Sequence, residues 1–447
     1  MSVGVGSIEH MFEELAAVPF GADEARLHAR LAELETAKAA CAAGQARVAA
    51  ELDAVRRARE AAEGVPASKR GRGLATEIAL ARRASPNQGG RHLGFARALV
   101  HEMPCTLSAL TCGALTEWRA TIIVRESACL SVEDRRRLDA ELCGEMARLE
   151  GWGDGRIEAE AKKIAYRLDA QAVVDRAAKA PSERTVTTRP APDCMVYVTA
   201  LLPVAQGVGV YAALKRAADT TGDGRSRGQV MADTLYERVT GQKAADPAPV
   251  SVDLVMSDRA LLGGDAEPAH LQGYGPVPAQ IARRMVADAA GVGAAALRRL
   301  YARPASGALV AMESRSRCFP KALAKFVDLR DQRCRTPYCD APIRHHDHAH
   351  PHHKGGPTSA VNGLGECARC NYDKEAPGWQ VATSEVDGVH TAQFVTPSGG
   401  RYLSTAPPAP GTLNILVKRP HQRIACGPAL LKNRLHPDRE RYRPRRT

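Results

Sequence analysis

Aromatic side chains are scarce in this chain of 447 residues, at 4% of positions. Heavy use of alanine and arginine suits helices more than sheets. Signals for export and membrane insertion are also missing. Met1 to Leu15 has no basic flank and no apolar core of signal-peptide length, and no run approaches the roughly 18 apolar residues of a membrane span. The expectation is a cytoplasmic protein without membrane contact, whose cysteines are reduced or metal-bound rather than disulfide-paired. A phosphate-gripping glycine loop is absent as well. Gly263-Gly264 is followed by Asp265, with no Lys-Ser/Thr to complete it. No internal repeat is found.

What is present begins with length, which predicts two to three domains, and with charge. The net charge is +12, and the stretch from Asp331 to the end holds 17 basic and 10 acidic residues, so +7 of it lies in the last quarter. Such a balance suits a polyanionic partner, since phosphate contacts supply most sequence-independent affinity; solubility alone accounts for it equally well.

Along the chain, Ala22 to Arg57 reads as one long helix. Leu27, Leu31, Leu34, Lys38, Cys41, Gln45, Val48, Leu52 and Val55 form a heptad seam along it. That seam either pairs with a second chain, giving a homodimer through residues 22–57, or folds back on its own domain. Leu74–Arg83 and a second run through Leu93 and Val100, joined at Ser85-Pro86-Asn87, have the outline of a helix-turn-helix with Arg82, Arg83, Arg91 and Arg97 nearby. Further helices are predicted at Leu115–Arg125, Val132–Glu150 and Ile157–Ala180. Period-two patterning then places strands at Thr185–Arg189, Met195–Leu202 and Val250–Met256, with helices at Val204–Ala218, Gln229–Thr240 and Pro278–Ala289. A hairpin is expected from Leu297–Ala302 and Ala308–Glu313, and a basic tail ends the chain at Arg439–Arg446.

Eight of the twelve cysteines are scattered singly, and Cys41, Cys105, Cys112, Cys129 and Cys143 read as small core residues. The other four come as two close pairs, Cys334 with Cys339 and Cys367 with Cys370. Four thiolates in two short-spaced pairs are what a closed tetrahedral zinc site needs. Between the pairs lie His345, His346, His348, His350, His352 and His353. A plain metal-binding histidine tract is one reading. A sharper one selects Asp347-His348, then Asn362 and Asn371. Cutting a phosphodiester needs a general base and a divalent ion; Asp347 offers a hard oxygen ligand and Asn371 a neutral one for Mg²⁺ or Mn²⁺.

Residues 330–381 resemble the HNH endonuclease superfamily, the ββα-metal nucleases, in the form carrying a four-cysteine zinc. The Asp-His pair, the Gly355-Gly-Pro-Thr358 turn, the Asn before the second Cys pair and the residue just after that pair carry the likeness. It implies His348 as general base, Asp347 and Asn371 as ligands of the catalytic ion, and Asn362 as the catalytic residue that pins the loop orienting His348. The last motif letter is often histidine; Asn371 makes this an HNN variant. Glu77–Leu99, Trp118–Leu130, Tyr197–Lys215 and Gly273-Tyr-Gly-Pro-Val-Pro278 also resemble the large N-terminal domain of unknown function that precedes HNH modules in high-GC bacteria.

The expectation is therefore an α+β protein. A helical region at 10–183 and a mixed α/β continuation at 184–315 would precede an HNH module at 320–382 and a Pro/Gly-rich, basic and partly disordered tail at 383–447. Its expected activity is metal-dependent hydrolysis of DNA phosphodiesters. The rivals are a catalytically inactive zinc module that binds DNA, and a regulator reading DNA through residues 74–101.

Overall fold

The computed structural model describes residues 13–18, 21, 23–244, 253–291, 318–386 and 389–410. The hairpin expected within 297–313, the basic tail, Cys426 and the start of the Val250–Met256 strand lie outside these. The fold is α+β, a helical N-terminal half followed by small antiparallel sheets.

The Asp23 carboxylate accepts the Arg26 N–H at 2.9 Å and starts one 39-residue helix, α1 (Glu24–Ala62). Its buried face is not the heptad seam. Ala39, Ala42, Ala43, Ala46, Ala49 and Ala50 are buried, while Leu31, Val48 and Val55 stay 68%, 70% and 57% exposed. The helix does fold back on its own domain, but through an alanine stripe on the opposite side. Small side chains let neighbouring helix axes approach closely, and a leucine seam would hold them apart.

Helix α2 (Leu74–Ala81) packs on α3 (Pro86–His101), which with α4 (Pro104–Thr111) and α5 (Glu117–Glu126) packs against that stripe; α6 (Val132–Cys143) and α7 (Asp154–Leu168) close the bundle. Helices α2 and α3 reproduce the two helices and proline turn expected at 74–101. Leu93, Phe95, Ala96 and Leu99 of α3 are core residues. Arg97 meets Asp53 through two 2.7 Å contacts, and Arg82 meets Glu117 at 2.8 Å. Two of the four arginines counted toward DNA are thus committed inside the bundle. Of the scattered cysteines, Cys143 is buried, whereas Cys41 and Cys112 are exposed, against the core reading.

After α8 (Ala170–Lys179) come the hairpin β1 (Thr185–Ala191) and β2 (Met195–Leu201), then the pair α9 (Val204–Thr220) and α10 (Arg227–Thr240). Strands β3 (Leu254–Val255), β4 (Ala269–Leu271) and β5 (Gly275–Val277) form a small sheet with α11 (Asp258–Leu262) and α12 (Ala279–Gly291) beside it.

The C-terminal module opens with α13 (Lys321–Asp331). The hairpin β6 (His345–His348) and β7 (Gly363–Glu366) and the helix α14 (Ala368–Lys374) follow. A three-stranded meander, β8 (Gln380–Val386), β9 (Val389–Val395) and β10 (Arg401–Thr405), lies in the stretch whose composition suggested the tail. Its Ala392 and Phe394 share a core with Ala349 and Leu364 of the β6–β7 unit. The knot of the module is Asp331, wholly buried. It binds Arg330 at 2.7 and 2.8 Å, Arg335 at 2.8 Å and the Gly365 N–H at 2.8 Å.

This module sits on the helical bundle. Leu80 of α2 packs with Ala376 and Trp379, Arg72 donates to the Tyr372 carbonyl at 3.0 Å, and Thr76 bonds Asp373. Glu77 pairs with buried Arg56 at 2.7 Å and accepts the Ser398 N–H at 2.9 Å. Gly73 has φ 78°, and a Cβ there would lie 2.7 Å from Trp379 Nε1.

Candidate functional site

The four paired cysteines converge. Cys334, Cys339, Cys367 and Cys370 are all buried, with their sulfurs within 4.8 Å of one another. Cys339 Sγ lies 3.8 Å from Cys367 Sγ and 3.6 Å from Cys370 Sγ. A tetrahedral zinc with Zn–S bonds of about 2.3 Å sets its sulfurs about 3.8 Å apart, so the donor set fits a structural zinc. Cys367 is also the N-cap of α14, its sulfur accepting the Cys370 N–H at 3.5 Å. A metal here would fix the start of that helix.

Strand β6 carries Asp347 and His348 to its end. Nε2 of His348 lies 2.8 Å from Thr358 Oγ1, while Nδ1 lies 3.4 Å from Asp347 Oδ1, too long for a strong hydrogen bond. The Thr358 hydroxyl can donate to Nε2 or accept from it, so this bond fixes the ring plane, while Nδ1 lies on the carboxylate side. Burial pushes the imidazole below its ordinary value against the opposing pull of Asp347, so the ring is neutral at pH 7.

The loop between the strands is held by Asn362. Its Oδ1 accepts the His350 N–H at 2.8 Å, and its Nδ2 donates to the carbonyls of His350 and Pro357 at 3.0 and 2.9 Å. Gly356 is required in that loop, since a Cβ there would fall 1.9 Å from the His350 carbonyl oxygen.

Helix α14 brings Asn371 and Lys374 to the same place from the other side. The Asn371 amide lies 2.6 Å from Asp347 Oδ2 and 3.2 Å from Glu366 Oε2, its nitrogen facing both carboxylates. Lys374 is buried and meets Asp347 at 2.8 Å and Glu375 at 2.7 Å, with Glu366 at 3.8 Å. Burial raises the Asp347 carboxyl, but the bond and charge of Lys374 outweigh it and hold Asp347 below the usual range. Burial dominates at Glu366 and pushes it well above that range, despite Lys374.

Ligand oxygens around an octahedral magnesium, with Mg–O bonds of about 2.1 Å, stand about 3 Å apart. Here Asp347 Oδ2 instead accepts from the Asn371 amide at 2.6 Å and meets Lys374 Nζ at 2.8 Å. With its amide turned to present oxygen, Asn371 would join Asp347 as a donor to a hard divalent ion.

The remaining histidines are not equivalent. His346 binds Asp328 at 2.7 Å, His350 faces the Lys354 carbonyl at 3.1 Å, His345 packs edge-on to Tyr372, and His352 lies tilted against His348 with ring centres 5.4 Å apart. Among the described residues the one cluster of His, Cys, Asp and Glu fit to hold a metal is the four cysteines, which weighs against a plain histidine tract. Sequence reasoning missed Thr358, Lys374 and Glu366. Thr358 was visible as a turn residue only. Lys374 stands three residues after Asn371, hence on its helical face, and Glu366 breaks an otherwise apolar short strand.

Residues 28–331 match the profile of a domain of unknown function, DUF222. Neither a curated protein nor a solved structure matches the chain. Among the described residues no helix is long and apolar enough to cross a membrane.

Proposed function

The chain belongs to the DUF222 family, and we propose that its C-terminal module is an HNH-type endonuclease, HNN variant, that hydrolyses DNA phosphodiester bonds. The observation that carries this reading is convergence. Asp347 and His348 from the end of β6 meet Asn371 from α14, with Nδ1 of His348 on the Asp347 side.

His348 Nδ1 takes the proton of the attacking water. Thr358 holds the opposite nitrogen and fixes the ring plane, while Asn362 holds the loop that positions Thr358. Asp347 and Asn371 would hold Mg²⁺ or Mn²⁺, which when bound neutralises the scissile phosphate and leaving oxygen. Cys334, Cys339, Cys367 and Cys370 would hold one structural Zn²⁺ that sets the start of α14.

DNA is the proposed substrate, on the strength of the basic last quarter. A second copy of the chain along the outward seam of α1 is the proposed protein partner, supported by the exposure of Leu31, Val48 and Val55. A cytoplasmic setting suits the described cysteines, all of which are free of disulfides.

The test is plasmid cleavage by purified protein in Mg²⁺, in Mn²⁺ and in chelator, with zinc quantified beside it. Metal-dependent nicking with about one zinc per chain is expected. DNA binding without cleavage under every metal would replace this reading with that of an inactive zinc adaptor.

A further inference from the structure

We propose that Glu366 is the third protein donor of the divalent-ion site that Asp347 and Asn371 begin. The inference rests on the nuclease reading and adds to it a residue that neither the Asp-His pair nor the asparagines announce. In the ladder of β6 and β7, His345 stands opposite Glu366 and Asp347 opposite Leu364. Directly opposed residues share a face and alternate residues return to it, so Asp347 and Glu366 point to the same side, the side that α14 covers.

Glu366 has no exposed surface, and its Oε1 has no hydrogen-bond partner. Its Oε2 has the Asn371 amide at 3.2 Å and the Lys374 ammonium at 3.8 Å. That ammonium is already engaged at closer range by Asp347 and Glu375. Three carboxylates therefore converge on one cationic side chain, and the least satisfied of them is the most deeply buried. Buried carboxylates of that kind are retained where they are paired or coordinate a metal. The Asn371 amide reaches Asp347 at 2.6 Å and Glu366 at 3.2 Å, so both carboxylates flank one side chain. With that amide turned to present oxygen, Asp347, Asn371 and Glu366 would be three donors to a hard octahedral ion, and the remaining positions would be left to water and phosphate.

The experiment measures Mn²⁺ binding directly, by the paramagnetic resonance of free Mn²⁺ titrated with full-length, zinc-loaded protein. Wild type is expected to bind one Mn²⁺, with Asp347→Asn as the control that weakens it. Glu366→Gln is expected to weaken binding by about tenfold or more while zinc content stays at the wild-type level. If Glu366→Gln loses its zinc, Glu366→Leu, which leaves no polar group to satisfy, carries the same measurement. Unchanged Mn²⁺ affinity in a zinc-loaded Glu366 variant, with the loss seen in Asp347→Asn, would overturn this inference alone and leave Glu366 a structural partner of Lys374. Absence of Mn²⁺ binding in wild type would overturn the inference together with the reading beneath it.

Discussion

His348 is set apart from the five histidines around it by its second nitrogen, held by Thr358, and by its burial. The others face solvent, a carboxylate, a carbonyl or a ring. A ranking of single variants follows. His348→Ala should lose about 10²–10⁴-fold in cleavage while keeping zinc and DNA binding, the usual result of removing a general base. Alanine at His345, His350 or His352 should cost much less. Equal cleavage by His348→Ala and His352→Ala would show that the base is misassigned. The pH profile checks the same residue independently. Only the neutral ring can accept a proton, and burial lowers the pH at which it protonates. The kcat/KM profile should thus stay flat on falling through the ordinary imidazole value near ~6.5 and decline only below it. An acid limb centred at or above that value would contradict a buried, neutral His348 as the base.

At the scale of elements, the knot on Asp331 ties α13, the first cysteine pair and β7 into one unit. Asp331→Ala would leave Arg330 and Arg335 buried without their carboxylate, a loss of about 3–5 kcal/mol for a pair broken on one side. Zinc should then escape at markedly lower urea, and retention equal to wild type would show that the knot does not hold the module. His390 supplies the pH arm. Its Nε2 bonds the Val361 carbonyl at 2.8 Å and its Nδ1 faces Arg335 at 3.2 Å, so the neutral ring satisfies both. Burial, with the charge of Arg330 added, lowers it to about 4. The unfolded chain takes up this proton first, so stability is complete above the unfolded value near ~6.5 and is lost as pH falls through about 4, by roughly 3 kcal/mol in all. His390→Gln should flatten the slope of zinc release against pH over that window. The α1 seam makes a separate prediction. Leu31→Glu with Val48→Glu should convert a dimer to a monomer in sedimentation, and a monomeric wild type would dispose of the seam as an interface. These elements also show what a sequence reading can reach. The cysteine pairs were legible because short spacings bring four thiols together, and the position of Asn371 just after the second pair explains why it lies against Asp347. The alanine stripe was not legible, since a heptad of larger residues on the other side of α1 gave the stronger periodic signal. Nor was the meander at 380–405. Its alternating face shows as Val389–Val395 only once Ala349 and Leu364, distant in the chain, are known to cover it.

For the molecule as a whole, the relation between the family domain and the module decides how the site is held. The DUF222 match ends at Asp331, the last residue of α13, so the family domain already includes the knot of the module. Helix α14 links the two physically. One face carries Asn371 and Lys374 to Asp347, and the other carries Asp373 and the Tyr372 carbonyl to Thr76 and Arg72 of the helical bundle. The bundle therefore backs the helix that presents the site, and loosening the dock should cost activity without touching a ligand. Trp379→Ala removes a mostly buried ring that packs with Leu80, a truncation that costs about 3–5 kcal/mol in a core and less where the site can collapse. Gly73→Val attacks the same contact from the bundle side. Its side chain meets Trp379, and its backbone is held at a positive φ that a β-branched residue resists. Both variants should keep their zinc. Both should lower hydrogen-exchange protection in α2, residues 74–81, with α6 as the unaffected reference. Cleavage should fall in parallel, by less than the loss from His348→Ala, because the geometry of Asn371 is relaxed rather than removed. If α2 exchanges as in wild type while cleavage falls, Trp379 acts inside the module alone. If exchange rises and cleavage holds, the bundle is a carrier of the nuclease and not part of its support.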